Sequence, residues 1–219
     1  MQSKQSLDTT ILCALDRHFA AGQPAVRFAA KVMLVSLAGL FPAVALYIAL
    51  SPEMAAHVME GGPAGGRFLR QILTNGLPVV FAVNFVSFLL YAPMRAGQAN
   101  PLRLAGFDLI ARVGLFVAVH ALVFWGSALA FGSFGGDPVQ ALRVVPPTLV
   151  QAAAFGNLSG AYFYATILGA LPLHMAALAR LLDRPESPWM ALVFGILGFV
   201  SQALVLTMLS TLIIWFQGS

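Results

Sequence analysis

The chain has 219 residues, of which 59% are hydrophobic and 9% charged, and its formal net charge is +4. Soluble domains run about half apolar and about a quarter charged, so this composition excludes a water-soluble domain, which could not cover such a core with so few charges. The twelve Lys and Arg residues stand at the ends of apolar runs rather than in a basic patch with interleaved aromatics, which excludes nucleic acid and leaves the lipid bilayer as the first partner.

In chain order, residues 7–20 read as an amphipathic helix. Leu7, Ile11, Leu15 and Phe19 recur every four residues, with Thr9, Asp16 and Arg17 mostly opposite. A helix of this kind before a span lies in the interface plane, so residues 1–27 are expected to form a cytoplasmic, interfacial segment. Cys13 is the only cysteine, which excludes an intrachain disulfide and thiolate metal clusters.

Five runs without a charged side chain follow, at 32–50, 77–94, 113–136, 144–179 and 187–219. About 18 apolar residues cross the ~30 Å hydrocarbon core of a bilayer. The predicted architecture is therefore an all-α integral membrane bundle, one domain over 28–219, with spans near 28–50, 75–94, 107–133, 147–171 and 189–215. With the N-terminus inside, nine of the twelve basic residues fall on the cytoplasmic side and three on the other. The positive-inside rule then predicts N-in and C-out. The connection 51–74 carries Gly61-Gly62-Pro63 and Gly65-Gly66, a turn-rich break, with a short interfacial helix over 67–73. Residues 174–182 are expected to leave the membrane as a helical extension of the fourth span.

The polar and small residues inside the spans are the candidate site residues. Ala152, Gly156 and Gly160 sit four apart, a small-xxx-small ridge that lets helix backbones approach closely in lipid. Gly195 and Gly198 share a face of the fifth span with Gln202. Asn157, Ser159, Tyr162, Thr166 and Gln202 either line a polar path or hydrogen-bond between helices, because an unpaired amide in hydrocarbon costs several kcal/mol. Asp108 and Arg112, spaced i, i+4 near the start of the third span, form a candidate ion pair. His120 lies near the middle of that span. His120 and His174 are expected at different depths, and the four histidines never pair at i, i+3 or i+4, so the expectation is no metal and no cofactor. For Ser159 to act as a nucleophile, the base would have to be a histidine at similar depth on another span, and only His120 qualifies.

The stretch 147–171 with Phe155-Gly156-Asn157, followed by Gln202-Ala203, resembles the paired C-terminal helices of the proton-channel subunit of rotary ATP synthases, over about a third of the chain. That family has an arginine two residues before the Phe-Gly-Asn. Here the position is Ala153, so the proton-transfer role is not carried over. No H-E-x-x-H, P-loop or G-x-S-x-G is present. The expected function is a non-catalytic membrane subunit or scaffold that packs with other membrane proteins or with itself. The alternative is a small oligomeric channel or transporter with a path along the fourth and fifth spans. Short loops fit a bacterial inner membrane.

Overall fold

The computed structural model describes residues 10–19, 22–59, 62–97, 100–182 and 188–218. Every regular element among them is helical: α1 (Thr10–Phe19), α2 (Ala25–Leu50), α3 (Pro52–Met59), α4 (Gly62–Gln71), α5 (Leu77–Gly97), α6 (Pro101–Phe131), α7 (Pro138–Ala153), α8 (Leu158–Leu182) and α9 (Pro188–Gly218). Among the described residues five stretches are long and apolar enough to cross a membrane: Ala25–Leu50, Gly62–Gly97, Pro101–Phe131, Leu158–Leu182 and Ile196–Phe216. The chain is thus a multi-pass helical membrane protein. We call the end of the bundle holding Ala25, Gly97 and Leu182 the near end, and the end holding Leu50 and Phe131 the far end.

Local chemistry explains several boundaries. Asn100 and Asp137 each precede a proline at the first helical position, and each carboxamide or carboxylate oxygen accepts the backbone N–H two residues on, from Leu102 (3.0 Å) and Val139 (2.8 Å). Gly132 closes α6 at φ 65°, the left-handed conformation that costs glycine nothing. The turn-rich break expected over 51–74 is helical in its described part: α3 and α4 fill it, and α4 runs through a π-helical turn, Ile72–Gly76, into α5.

The fourth span differs from expectation. Instead of one helix over 147–171, the chain forms α7, a break at 154–157, and α8. Asn157 Nδ2 donates to Thr148 O at 2.9 Å, nine residues back. In a continuous helix those positions stand about 13 Å apart, so the axis turns sharply here. Phe155 takes a left-handed φ of 59° to make the turn. Because the break comes before residue 158, the spanning helix is displaced toward the C-terminus and continues through Pro172 to Leu182. Residues expected to emerge, including His174, Ala176, Ala177 and Ala179, are buried in the bundle.

Helix α8 is the axis of the fold. Of its most apolar stretch 61% is buried, against 22–39% for the other four. It packs on α2, α6, α9 and α5. Small residues permit this. A Cβ on Gly39 of α2 would run into the Ala165 carbonyl, and one on Gly76 would enter the Tyr162 ring. In lipid, such close approach and the dispersion it brings replace hydrophobic exclusion as the source of helix association. At the near end α1 lays Leu12, Leu15 and Phe19 on Phe28, Val32, Phe88 and Ala177, with the Phe19 and Phe88 rings stacked at 3.8 Å. Tyr91 donates to Asp16 at 3.0 Å and Arg95 pairs with the same carboxylate at 3.5 Å, tying α1 to α5. The apolar face of α1 therefore covers the bundle end. Leu7 and the side chain of Ile11 lie outside the described residues.

The α2–α8 approach is testable. Gly39→Val is expected to lower thermal stability by roughly 1–3 kcal/mol through overpacking. Gly114→Ala, with no atom of the described residues within 4 Å of its Cβ position, is the control and leaves stability unchanged or slightly raised. Equal melting temperatures for wild type and Gly39→Val would contradict the contact.

Candidate functional site

Two polar assemblies lie inside the bundle. The first is built on Arg112. Asp108 and Arg112 stand about 10 and 16 Å along α6 from its start, where the two residues are 2% and 1% exposed. A buried guanidinium needs its charge matched and its N–H groups accepted. Arg112 Nε donates to Asp108 Oδ2 at 2.7 Å, and Nη1 donates to Asn84 Oδ1 on α5 and to the Thr166 carbonyl on α8 at 2.9 Å. The guanidinium carbon also lies 5.1 Å from the centre of the Phe88 ring, a cation–π contact. Asn84 Nδ2 donates to Ser36 Oγ on α2 at 3.0 Å. On the other side of the carboxylate, Asp108 Oδ2 stands 3.8 Å from His174 Nε2, and Gln202 Nε2 of α9 stands 3.4 Å from the same nitrogen. All five membrane-length helices contribute a side chain to this network. Gly169 makes room for it: a Cβ there would press on Asn84 Oδ1 at 3.0 Å.

The second assembly surrounds the α7–α8 break. Asn157 staples it: its amide donates to Thr148 O, and its Oδ1 accepts the Gly160 N–H at 3.2 Å, capping α8. Tyr164 donates to the free Ala153 carbonyl at 2.6 Å, and its ring stacks on Phe155 at 4.6 Å. In the first turn of α8, Ser159 meets His120 of α6, with Oγ 3.2 Å from Nε2. The other ring nitrogen, Nδ1, lies 3.0 Å from the Phe116 carbonyl. A carbonyl only accepts, so Nδ1 carries the proton and Nε2 presents a lone pair to the Ser159 hydroxyl. Both residues line a half-open groove of about 940 Å³ between α5, α6 and the break. Val79, Val119 and Val123 form part of its apolar wall, and Gln71, Thr74 and Asn75 stand exposed on its far-end side.

The two assemblies divide the residues singled out in the sequence. Asp108, Arg112, Thr166 and Gln202 meet in the first; His120, Asn157, Ser159 and Tyr162 belong to the second. The Thr166 hydroxyl donates back to Phe163 O at 2.7 Å, and its carbonyl, not its side chain, serves Arg112. The Tyr162 ring packs at Gly76, and its buried hydroxyl has no hydrogen-bond partner among the described residues. Ala152, Gly156 and Gly160 are not a ridge on one helix, because the break separates them: Ala152 is on α7, Gly156 in the turn and Gly160 on α8. Ala152 and Gly160 do meet across the turn, where a Cβ on Gly160 would stand 2.6 Å from Ala152 O. Gly198 is buried, with no described atom within 4 Å of its Cβ position; the surroundings of Gly195 lie outside what is described. Ser36 and Asn84 were not singled out from the sequence, and His174 was weighed there only as a possible ligand partner of His120. Each is a lone polar residue in an apolar run, and the one available signal was that a polar group at membrane depth needs a partner.

No family model, curated protein or solved structure matches the chain. The Phe155-Gly156-Asn157 triplet, which carried the resemblance to the proton-channel subunit, forms the break between α7 and α8. Among the described residues no three His, Cys, Asp or Glu side chains are grouped to hold a metal.

Removing one partner of a buried pair strands the other charge and costs roughly 3–5 kcal/mol, whereas replacing both by apolar groups is often neutral. Arg112→Met alone is expected to reduce the folded fraction in detergent sharply, and Asp108→Leu/Arg112→Met to recover most of it. A double variant no better than the single one would mean that Arg112 is held mainly by Asn84 and Thr166.

Proposed function

We propose that this protein is an integral membrane subunit or scaffold that packs against other membrane proteins. The observation supporting this is the division of its intramembrane polar groups. Thr166 and Gln202 are enclosed in the Arg112 network, while Asn157 and Ser159 border the groove, which supports separate structural roles over one polar passage along the fourth and fifth apolar helices. Conduction needs a continuous wettable lining. Helices α6 and α9 keep only 22% and 24% of their most apolar stretches inside the bundle. Their outward faces, with Ile110, Leu122 and Leu129 on one and Leu204, Met208 and Leu212 on the other, are open to lipid or to partner helices.

A second reading, a small oligomeric channel or transporter, draws on the broken helix beside a groove, because irregular backbone at membrane depth is tolerated where it lines a cavity. Purification of the tagged chain from its native membranes in mild detergent, followed by native mass measurement, separates the two. The expected result is a stoichiometric complex with a different membrane polypeptide. A homo-oligomer that conducts a solute in proteoliposomes would establish the second reading instead.

The proposal places the chain in a bacterial inner membrane with the N-terminus cytoplasmic, on the nine-to-three bias of its basic residues. Reporters fused after Ser219 check the orientation. Activity is expected only from the reporter that works outside the cytoplasm, and activity only from the cytoplasmic one would reverse the topology.

A further inference from the structure

We propose that Ser159 and His120 form a nucleophilic pair that takes an acyl group from a long-chain carboxylic ester held in the groove. This goes beyond the subunit reading and does not depend on it. No linear motif could disclose the pair, because its members are 39 residues apart on different helices.

Four observations converge on it. The first is the polarity of the hydrogen-bond chain. Nδ1 donates to the Phe116 carbonyl, so Nε2 is the basic nitrogen and faces the serine Oγ at 3.2 Å. This is the arrangement in which a neutral imidazole removes the proton of an attacking hydroxyl. The carbonyl fixes the tautomer and ring orientation that a carboxylate fixes in a triad. The second is access. His120 is 5% exposed, while Ser159 is partly exposed and lines the groove, so the base is shielded and the nucleophile reachable. The third is position in the helix. Ser159 lies in the first turn of α8, whose leading N–H groups have no intrahelical acceptor. Asn157 takes that of Gly160. The remaining N–H groups and the positive end of the helix suit an oxyanion formed beside Oγ. The fourth is the groove itself. It is about 940 Å³ with largely apolar walls, it has exposed Gln71, Thr74 and Asn75 on one side, and among the described residues no charged side chain lines it. These features fit an uncharged ester with an apolar chain and admit water from the polar side.

The chemistry balances without a cofactor. Ser159 Oγ bonds to the ester carbonyl carbon as its proton passes to His120 Nε2. The carbon–alkoxy bond then breaks, and the imidazolium returns the proton to the departing alcohol oxygen. Water next attacks the acyl-serine, giving its proton to Nε2 and its oxygen to the acyl carbon. The acyl–Oγ bond then breaks, the imidazolium returns its proton to Ser159 Oγ, and the carboxylic acid leaves.

The test uses the full chain in detergent micelles and a long-chain alkyl fluorophosphonate, which phosphonylates an activated serine. Mass spectrometry locates the adduct, and a known serine hydrolase sets the labelling conditions. Expected is an adduct on Ser159, none in Ser159→Ala, and labelling about 100-fold slower in His120→Gln, as for loss of a general base. Thermal melting of each variant establishes that it is folded. If His120→Gln fails to fold, the pH dependence of Ser159 labelling in the wild type is read instead: the rate should fall as the imidazole is protonated, and a rate that tracks hydroxide alone would overturn the proposal. An unlabelled Ser159 in folded wild-type protein would overturn the proposal. So would labelling of Ser159 at wild-type rate in folded His120→Gln, or an adduct only on other hydroxyls. Native mass measurement of the same preparation reports on the subunit reading separately, so either proposal can fail alone.

Discussion

The fold is organised around one buried cation. A guanidinium in a low-dielectric interior is costly unless its charge is matched and its donors are accepted, and Arg112 obtains this only if α5, α6 and α8 are in register. Asp108 supplies the charge from one turn earlier on the same helix, Asn84 the side-chain acceptor and Thr166 the backbone acceptor. Asn84 passes the constraint to α2 through Ser36, and Asp108 passes it toward α9 through His174 and Gln202. Helix contacts in lipid are otherwise weakly directional, since apolar side chains pack on one another much as on acyl chains. A network with fixed donor and acceptor geometry selects one register among many of similar packing energy.

Close packing around α8 makes this network possible. Glycines at 39, 76 and 169 stand where a side chain would meet the Ala165 carbonyl, the Tyr162 ring and the Asn84 amide. The same approach that brings α2 and α5 near α8 brings Ser36 and Asn84 within reach of Arg112. Bulkier residues at these positions would separate the helices and leave the charge without its acceptors, so the apolar contacts and the polar network stabilise each other.

The break between α7 and α8 has a different consequence. By ending one helix and starting another inside the bundle, it places a helix N-terminus, a capping Asn and Ser159 beside His120, a position that a continuous span would leave with all its N–H groups engaged. The left-handed Phe155 is held by stacking on Tyr164 and contact with Tyr47, and the Ala153 carbonyl released by the break is recaptured by Tyr164. The backbone conformation is supported from both sides, as persistence of such a conformation requires.

The sequence by itself determined that this chain is a helical membrane protein with five membrane-length helices, because apolar length without charge needs no tertiary information to be read. It also determined that Asp108 and Arg112 can pair, since i, i+4 spacing on a helix brings side chains together whatever surrounds them. It did not determine where the fourth span begins. The prolines that punctuate that region, Pro146, Pro147 and Pro172, all lie inside helices, while the turn falls at Phe155-Gly156-Asn157, chosen by stacking on α8, contact with α2 and the Asn157 bonds. That choice sets the depth of everything after it, which is why His174 reads as a surface residue in sequence yet lies beside Asp108. The meeting of Asn84 with Ser36 was likewise decided only by tertiary structure, whereas His120 was already the one histidine that the sequence offered to Ser159, and tertiary structure brought the two within 3.2 Å. Sequence separation carries no information about which lone polar groups in apolar helices will face one another; interhelical distance and rotation do.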